Sequence, residues 1–265
     1  MERLQAAIEK ARAARREGPA AGGASGAASP NGEAWRALKS LAPDPRHLER
    51  GRIVSGIEGH RGGIGIDKLR TRLARRMQAE GWRRLAVTSP GPGCGKSTLA
   101  LNLAFSLARR PEERVALCEM DLRHPSLAGL LGVRDAGRDF SRVLSGVSGF
   151  EAEGLRIGRN LALGLASAPR PDAAELLQGS STPLALERIE ATYATSYVLF
   201  DTPPVLLSDD TAGLLKHVDC ALIVAAAGVT TMAEIDRCER EVAAQSDVVG
   251  IVLNKCRFPE RGQRG

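Results

Sequence analysis

The residues with the clearest chemistry are Gly93, Cys94, Gly95, Lys96, Ser97 and Thr98. They follow an apolar strand, Leu85 to Ser89, and lead into a helix, Leu99 to Ala108. That order builds a phosphate cradle. Glycines let successive backbone N–H groups turn inward, the helix N-terminus adds partial positive charge, and Lys96 reaches the terminal phosphates. Ser97 stands where a hydroxyl would meet Mg²⁺. The run departs from G-x-x-x-x-G-K-[ST] in one place, because Pro90 occupies the position of the first glycine. An ordinary glycine turn ahead of a helix is the plain alternative. It does not account for strand, loop, lysine, hydroxyl and helix arriving in the right order.

Three acids stand at the ends of two further apolar runs. Glu119 and Asp121 end the run from Val115 to Cys118, and Asp201 ends the run from Tyr197 to Phe200. In open parallel sheets, ligands sit beyond the carboxyl ends of the strands. Glu119 and Asp121 alternate, so they project to one side if the strand persists that far. An acid after four apolar residues is what a Mg²⁺-nucleotide site needs, directly or through water. Each acid alone also reads as a strand-end or capping carboxylate. Together with Lys96 and Ser97, they are expected to gather around one metal.

Elements that could hold these residues alternate from Trp82 onward. Strands are predicted at Leu85–Ser89, Arg114–Cys118, Leu161–Ala168, Tyr197–Phe200, Cys220–Ala226 and Val248–Leu253. Between them lie helices to about Arg109, over Ala173–Ala191 with interruptions near Gly179 and Pro183, around Asp210–His217, and over Thr231–Ala244. A further helix, Ile66–Glu80, precedes the first strand, with Leu69, Leu73 and Met77 on one face and Arg70, Arg72, Arg75 and Arg76 on the other. Continuous apolar strands separated by helices predict an α/β fold, a mostly parallel sheet with helices on both faces.

The 265 residues have room for one such domain of roughly 180 to 200 residues plus extra segments. Residues 64–256 are expected to form it, with an N-terminal extension and linker at 1–63 and a short tail at 257–265. Within the extension, residues 1–17 can form a short helix carrying Leu4, Ala7, Ile8 and Ala11 on one face, and residues 18–32 make a small-residue linker. Residues 33–63, punctuated by Pro43, Pro45, Gly56, Gly59, Gly62 and Gly63, carry too many turn residues for a packed element.

Charge is uneven along the chain. Residues 1–80 hold 16 Lys and Arg against 9 Asp and Glu, whereas residues 81–265 hold 21 against 22. The basic character therefore belongs to the flexible N-terminal extension, which could meet an anionic membrane surface or an acidic partner, or stay solvated. Aromatics are only 3% of the chain, so single-strand nucleic-acid binding is not expected. No apolar run is long enough to span a membrane, and the N-terminus lacks a signal-peptide stretch. Cys94, Cys118, Cys220, Cys238 and Cys256 show no metal-binding spacing, which predicts reduced thiols and a cytoplasmic protein.

The stretches Pro92–Thr98, Glu119–Ser126 and Asp201–Val205 resemble the Walker A, Walker A′ and Walker B motifs of bacterial tyrosine kinases, the P-loop kinases of capsule and exopolysaccharide production. Further matches are Leu69–Thr71, Pro171–Leu177, Ala227–Thr231 and Val249–Asn254, so the resemblance covers residues 64–256. It implies a P-loop NTPase fold with ATP and Mg²⁺ as cofactors. It also implies that the backbone of Gly93, Cys94 and Gly95 wraps the phosphates and that Lys96 neutralises the β and γ phosphates. Ser97 would coordinate Mg²⁺, and Thr98 would contact the α-phosphate side. Glu119 and Asp121 would share metal organisation and activation of an attacking tyrosine hydroxyl, and Asp201 would hold the metal through water. Arg123 joins the nucleotide contacts, and Asn254 would read the adenine edge or cap its loop. Related partitioning ATPases carry a lysine where Gly91 stands here, which favours the kinase branch.

Departures shape the expected partners. Glu119 replaces the family's usual aspartate. In the family's E-x-x-R-x-x-R helix, which supports ring assembly, only Arg70 remains, with Ile64 and Asp67 in the other places. A ring is therefore not expected, and a homo-oligomer is left open. The family's C-terminal tyrosine cluster has no counterpart, since Tyr193 and Tyr197 are the only tyrosines. The implied function is an ATP-dependent tyrosine-kinase-like protein acting on another polypeptide beside a membrane polysaccharide co-polymerase. The alternatives are a regulatory ATPase that docks to a membrane partner, or a nucleotide-binding structural subunit.

Overall fold

The computed structural model describes residues 30–57, 63–133 and 137–256. The expected helix at 1–17, most of the linker and the tail at 257–265 lie outside these residues. In chain order the first elements are α1 (Pro30–Ala37), β1 (Lys39–Ser40), α2 (Pro45–Arg50), α3 (Ile64–Glu80), β2 (Arg84–Thr88), α4 (Lys96–Ala108) and β3 (Val115–Glu119). Next come α5 (Leu127–Leu130), α6 (Phe140–Leu144), α7 (Phe150–Glu153), β4 (Leu155–Ile157), β5 (Leu161–Gly164), α8 (Ala173–Gln178) and α9 (Ser181–Tyr193). The last are β6 (Tyr197–Asp201), α10 (Asp209–Leu215), β7 (Cys220–Ala226), α11 (Met232–Ala243) and β8 (Asp247–Asn254).

The strands form one sheet in the order β1-β4-β5-β3-β6-β2-β7-β8. The six strands from β5 to β8 run parallel, and β4 pairs antiparallel with β5. Strand side chains alternate between two cores. Leu85, Val87, Val115, Leu117 and Leu199 pack with α3 and α4 on one face, while Ala86, Ala116, Cys118, Val198 and Phe200 pack with α9 and α10 on the other. Burying each Leu, Val or Phe side chain contributes about 1.5–3 kcal/mol, which is why these strands read as continuous apolar runs.

The order matters for the site. The β2–α4–β3 crossover leaves one strand position open, and β6 fills it. Its register sets Asp201 opposite Val87 of β2 on one side and Glu119 of β3 on the other. The carboxyl ends of three strands thus meet where the glycine loop leaves the sheet.

Residues 30–57 differ from the sequence expectation. They hold packed elements, with Trp35, Leu38, Leu48 and Ile53 buried. Trp35 donates its ring N–H to the Tyr193 carbonyl at 2.8 Å and meets the Tyr193 ring edge-on at 5.8 Å. Asn102 of α4 accepts from Ser55 N–H at 3.0 Å and donates to the Arg52 carbonyl at 2.9 Å. These partners are remote in sequence, so local composition gives no sign of the packing. The α8–α9 break falls at Gly179–Ser180, and Pro183 sits inside the first turn of α9, where a missing N–H costs no intrahelical bond. None of the described helices is long and apolar enough to cross a membrane. All five cysteines are free thiols.

Candidate functional site

Local sequence builds the loop between β2 and α4. Gly93 and Gly95 adopt φ of 72° and 93°, a left-handed backbone that a side chain would strain, and Gly95 caps the N-terminus of α4. Lys96 and Ser97 open the helix, and Thr98 follows in its first turn. Cys94 is buried against Thr230, with its sulfur 3.7 Å from the hydroxyl. The loop after Asp201 is stitched to the same strand end. The Thr202 hydroxyl donates to the Val87 carbonyl at 3.1 Å, Val205 N–H donates to the Ser89 carbonyl at 2.9 Å, and the Thr88 hydroxyl donates to the Pro203 carbonyl at 3.0 Å.

Lys96, Asp121 and Asp201 come together. Lys96 Nζ stands 2.9 Å from Asp121 Oδ2. Burial alone would lower the lysine pKa, but Asp201 and Asp121 outweigh it and raise the value. Asp201 is fully buried, and neither carboxylate oxygen has a partner in hydrogen-bonding geometry. Burial pushes its carboxyl up to about 6, against the pull of the Lys96 ammonium and the neighbouring Ser97 hydroxyl. A buried carboxylate with open lone pairs is the group that a cation or its water shell would satisfy. Among the described residues, no group of three His, Cys, Asp or Glu side chains could hold a metal by itself. A metal here would need the Ser97 hydroxyl, phosphate oxygens and water as well.

Glu119 has a different position from the one expected. β3 ends at this residue, and the N–H groups of Met120 and Asp121 both turn to the Asp201 carbonyl, at 2.8 and 3.1 Å. The alternation that would aim Glu119 and Asp121 together is broken there. Glu119 Oε1 accepts from Ser126 and Leu127 N–H at 2.5 and 2.7 Å, and Oε2 accepts from Ala166 N–H at 3.0 Å. Its carboxylate therefore fastens the start of α5 and the end of β5 beneath the site. Burial raises its pKa to about 7, although the three backbone donors pull it down. Glutamine at this position has one acceptor oxygen and would turn an N–H toward another N–H. Glu119→Gln is expected to destabilise the protein by about 1–3 kcal/mol in thermal denaturation, and unchanged stability would refute this role.

Asn254 closes the loop from the far side. Its Nδ2 donates to the Cys94 carbonyl at 2.9 Å, and its Oδ1 accepts from Lys255 N–H at 2.8 Å. The Nδ2 end of the amide thus ties β8 to the glycine loop, while the Oδ1 end caps the turn at Lys255, the loop-capping role among the two expected for this residue. Arg123 reaches Asp210, at 2.6 Å from Nε to Oδ2. Sequence reasoning did not single out Asp210, which there only opens the helix read around Asp210–His217; in the structure Ser208 caps that helix, its hydroxyl accepting from Asp210 N–H.

A cavity of about 640 Å³ opens at this site, lined by Gly93, Lys96, Asp121, Arg123 and His124 together with Ala174, Pro204, Leu207 and Asp210. A second cavity, of about 470 Å³, lies between α6, α7 and α9, away from the loop.

The chain is similar to known proteins in sequence and fold. The family model described as "CobQ/CobB/MinD/ParA nucleotide binding domain" matches residues 85–264. Tyrosine-protein kinase YwqD of Bacillus subtilis is 30% identical over 185 residues, 69% of this chain and 76% of that protein. The putative tyrosine-protein kinase EpsB of Ralstonia nicotianae is 32% identical over 194 residues, 71% of this chain but 25% of the longer protein. The solved BceF tyrosine kinase domain superposes with a TM-score of 0.61 at 27% identity, covering 71% of this chain and 75% of that one. The chain belongs to the CobQ/CobB/MinD/ParA nucleotide-binding family, in its branch of bacterial tyrosine kinases.

Proposed function

We infer that this chain transfers the terminal phosphoryl group of Mg²⁺-ATP to a tyrosine on another polypeptide, in exopolysaccharide synthesis or export. The observation that carries the reading is the buried, unpartnered Asp201 carboxylate beside Lys96 at the mouth of the glycine loop. Ser97 and Asp201 would hold Mg²⁺, Asp201 through water, and the backbone of Gly93, Cys94 and Gly95 would wrap the phosphates. Bound Mg²⁺-ATP supplies the electrophilic phosphorus and neutralises part of the phosphate charge. Lys96 compensates the rest. Asp121 lines the cavity, orients the acceptor hydroxyl and takes its proton. Glu119 positions the loop that carries Asp121. A membrane polysaccharide co-polymerase is the proposed partner, with the chain peripheral at the inner membrane face. Asp67, on the helix used for rings in the family, instead accepts from Ser106 Oγ at 2.6 Å and pairs with Arg109 at 2.9 Å, which supports a ring-free protein.

Purified protein incubated with labelled ATP, with and without the membrane partner, tests the reading. Phosphotyrosine on the partner supports it. Free phosphate alone would assign the chain to the regulatory ATPase alternative, and neither product would leave a structural nucleotide-binding subunit.

No phosphotyrosine is expected on this chain itself. Tyr193 is 2% exposed and Tyr197 8% exposed. Tyr193 closes α9, with its ring edge-on to Phe150 at 5.2 Å, and burial pushes its phenol up to about 12. Tyr197 opens β6, between β3 and β2. Freeing either exposes several apolar side chains, each costing about 1.5–3 kcal/mol. Mass spectrometry after incubation with Mg²⁺-ATP checks this, and substantial phosphate on either tyrosine would overturn it.

A further inference from the structure

Arg123 leaves the Asp121 loop and is clamped from two directions. Its Nε and Nη2 donate to Asp210 Oδ2 and Oδ1 at 2.6 and 3.2 Å, and its Nη1 donates to the Pro171 carbonyl at 3.0 Å. Asp210 lies in α10, just beyond the loop that follows Asp201, and Pro171 lies just before α8. A guanidinium has five N–H donors and keeps its charge at any working pH. Three donors are used here, which leaves two. The Arg123 side chain is 39% exposed, whereas that of Asp210 is 2% exposed. The exposed part of Arg123 lines the same cavity as Gly93, Lys96 and Asp121.

This arrangement is more than a staple. A buried carboxylate such as Asp210 is costly unless a cation meets it, and a half-exposed arginine would otherwise sample many rotamers. The bidentate contact fixes the plane of the guanidinium and leaves its unused donors for the cavity. A planar fork of N–H donors matches phosphate oxygens, and holding it in advance avoids the ordering cost at the moment of binding.

We propose that Asp210 is a positioning residue that holds Arg123 for the terminal phosphate of the nucleotide, so that the site distinguishes a nucleoside triphosphate from a diphosphate. The proposal rests on the nucleotide-site reading above. It concerns the γ-phosphate alone. The bulk of the affinity for ADP comes from the glycine loop and Lys96.

The test is calorimetry on the full chain with Mg²⁺ and either ADP or a non-hydrolysable ATP analogue. Wild-type protein binds both, the analogue more tightly. Asp210→Asn is expected to lose about tenfold or more in affinity for the analogue, with ADP affinity changed by less than about twofold. Arg123→Ala shows the same selective loss, and adding Asp210→Asn to it costs nothing further, because Asp210 acts through Arg123. Thermal melting checks each fold. If Asp210→Asn does not fold, Arg123→Lys serves in its place, since it keeps a cation beside Asp210 but removes the fork. Equal losses for ADP and analogue, unchanged analogue affinity, or additive losses in the double variant would overturn the proposal while nucleotide binding itself stands. Selective loss of affinity for an acidic acceptor polypeptide, with both nucleotides unaffected, would overturn it in favour of acceptor recognition. Wild-type protein that binds neither nucleotide overturns this proposal together with the reading beneath it.

Discussion

Lys96→Met is expected to lower turnover at least about a thousandfold and to weaken Mg²⁺-ATP binding by several kcal/mol. The ammonium of Lys96 sits 2.9 Å from Asp121 Oδ2 and is the cation that both Asp121 and Asp201 act upon. Without it, the β and γ phosphates would approach two carboxylates with their charge uncompensated in a water-poor cavity. A second consequence follows in the free protein. Asp121 is buried, and losing Lys96 leaves its charge without a cation at Oδ2, with the His124 backbone N–H at 3.2 Å on Oδ1, which costs about 3 kcal/mol of stability. Lys96→Met combined with Asp121→Asn should recover most of that stability and none of the turnover. Calorimetry, turnover and thermal melting on the three proteins separate the two effects. Unchanged nucleotide affinity and turnover in Lys96→Met would remove Lys96 from the site.

Asp201→Asn is expected to act in opposite directions on stability and on ligand binding. Burial holds the Asp201 carboxyl at about 6, against an ordinary value of 3.8, with both oxygens unpartnered. The folded state therefore takes up a proton more readily than the unfolded chain between about pH 4 and pH 6. Stability contributed by the neutral acid is present at low pH and is lost as the pH rises through 6. At pH 7.5 the ionised group costs the free protein on the order of 3 kcal/mol. The neutral amide does not carry that cost. Asp201→Asn should thus melt at a higher temperature than wild type at pH 7.5, and the difference should shrink toward pH 5. Mg²⁺-dependent nucleotide binding should fall by about a hundredfold, because the amide gives the cation no charge. A variant less stable than wild type at pH 7.5, or a difference that does not vary with pH, would refute the assignment. The combination marks a group kept at a cost to stability for what it binds.

Much of the fold is legible in the chain. The strand read at Cys220–Ala226 is β7 to the residue, and the helix read at Ile66–Glu80 is α3, which starts two residues earlier at Ile64. These elements are long, and their apolar pattern is strong. What escaped detection is short or held from a distance. β4 has three residues and gains its place by pairing with β5 on one side and β1 on the other. α1 and β1 carry turn residues around them and are held by Trp35 packing on α9. Three or four residues show no period, so such pieces are visible only once their partners are in place.

The sequence by itself determined the phosphate loop. Strand, glycines, lysine, hydroxyl and helix are contiguous from Leu85 to Ala108, so their geometry follows from local backbone chemistry. It also determined that acids would end the strands. Only the tertiary structure decided what each acid does, because a carboxylate's role depends on the donors and charges around it, and those come from remote segments. The insertion of β6 between β2 and β3 put Asp201 beside Lys96 with its oxygens unpaired. Three backbone N–H groups from α5 and the end of β5 claimed Glu119. Asp210, unremarkable in the chain, met Arg123 only where α10 packs against α8.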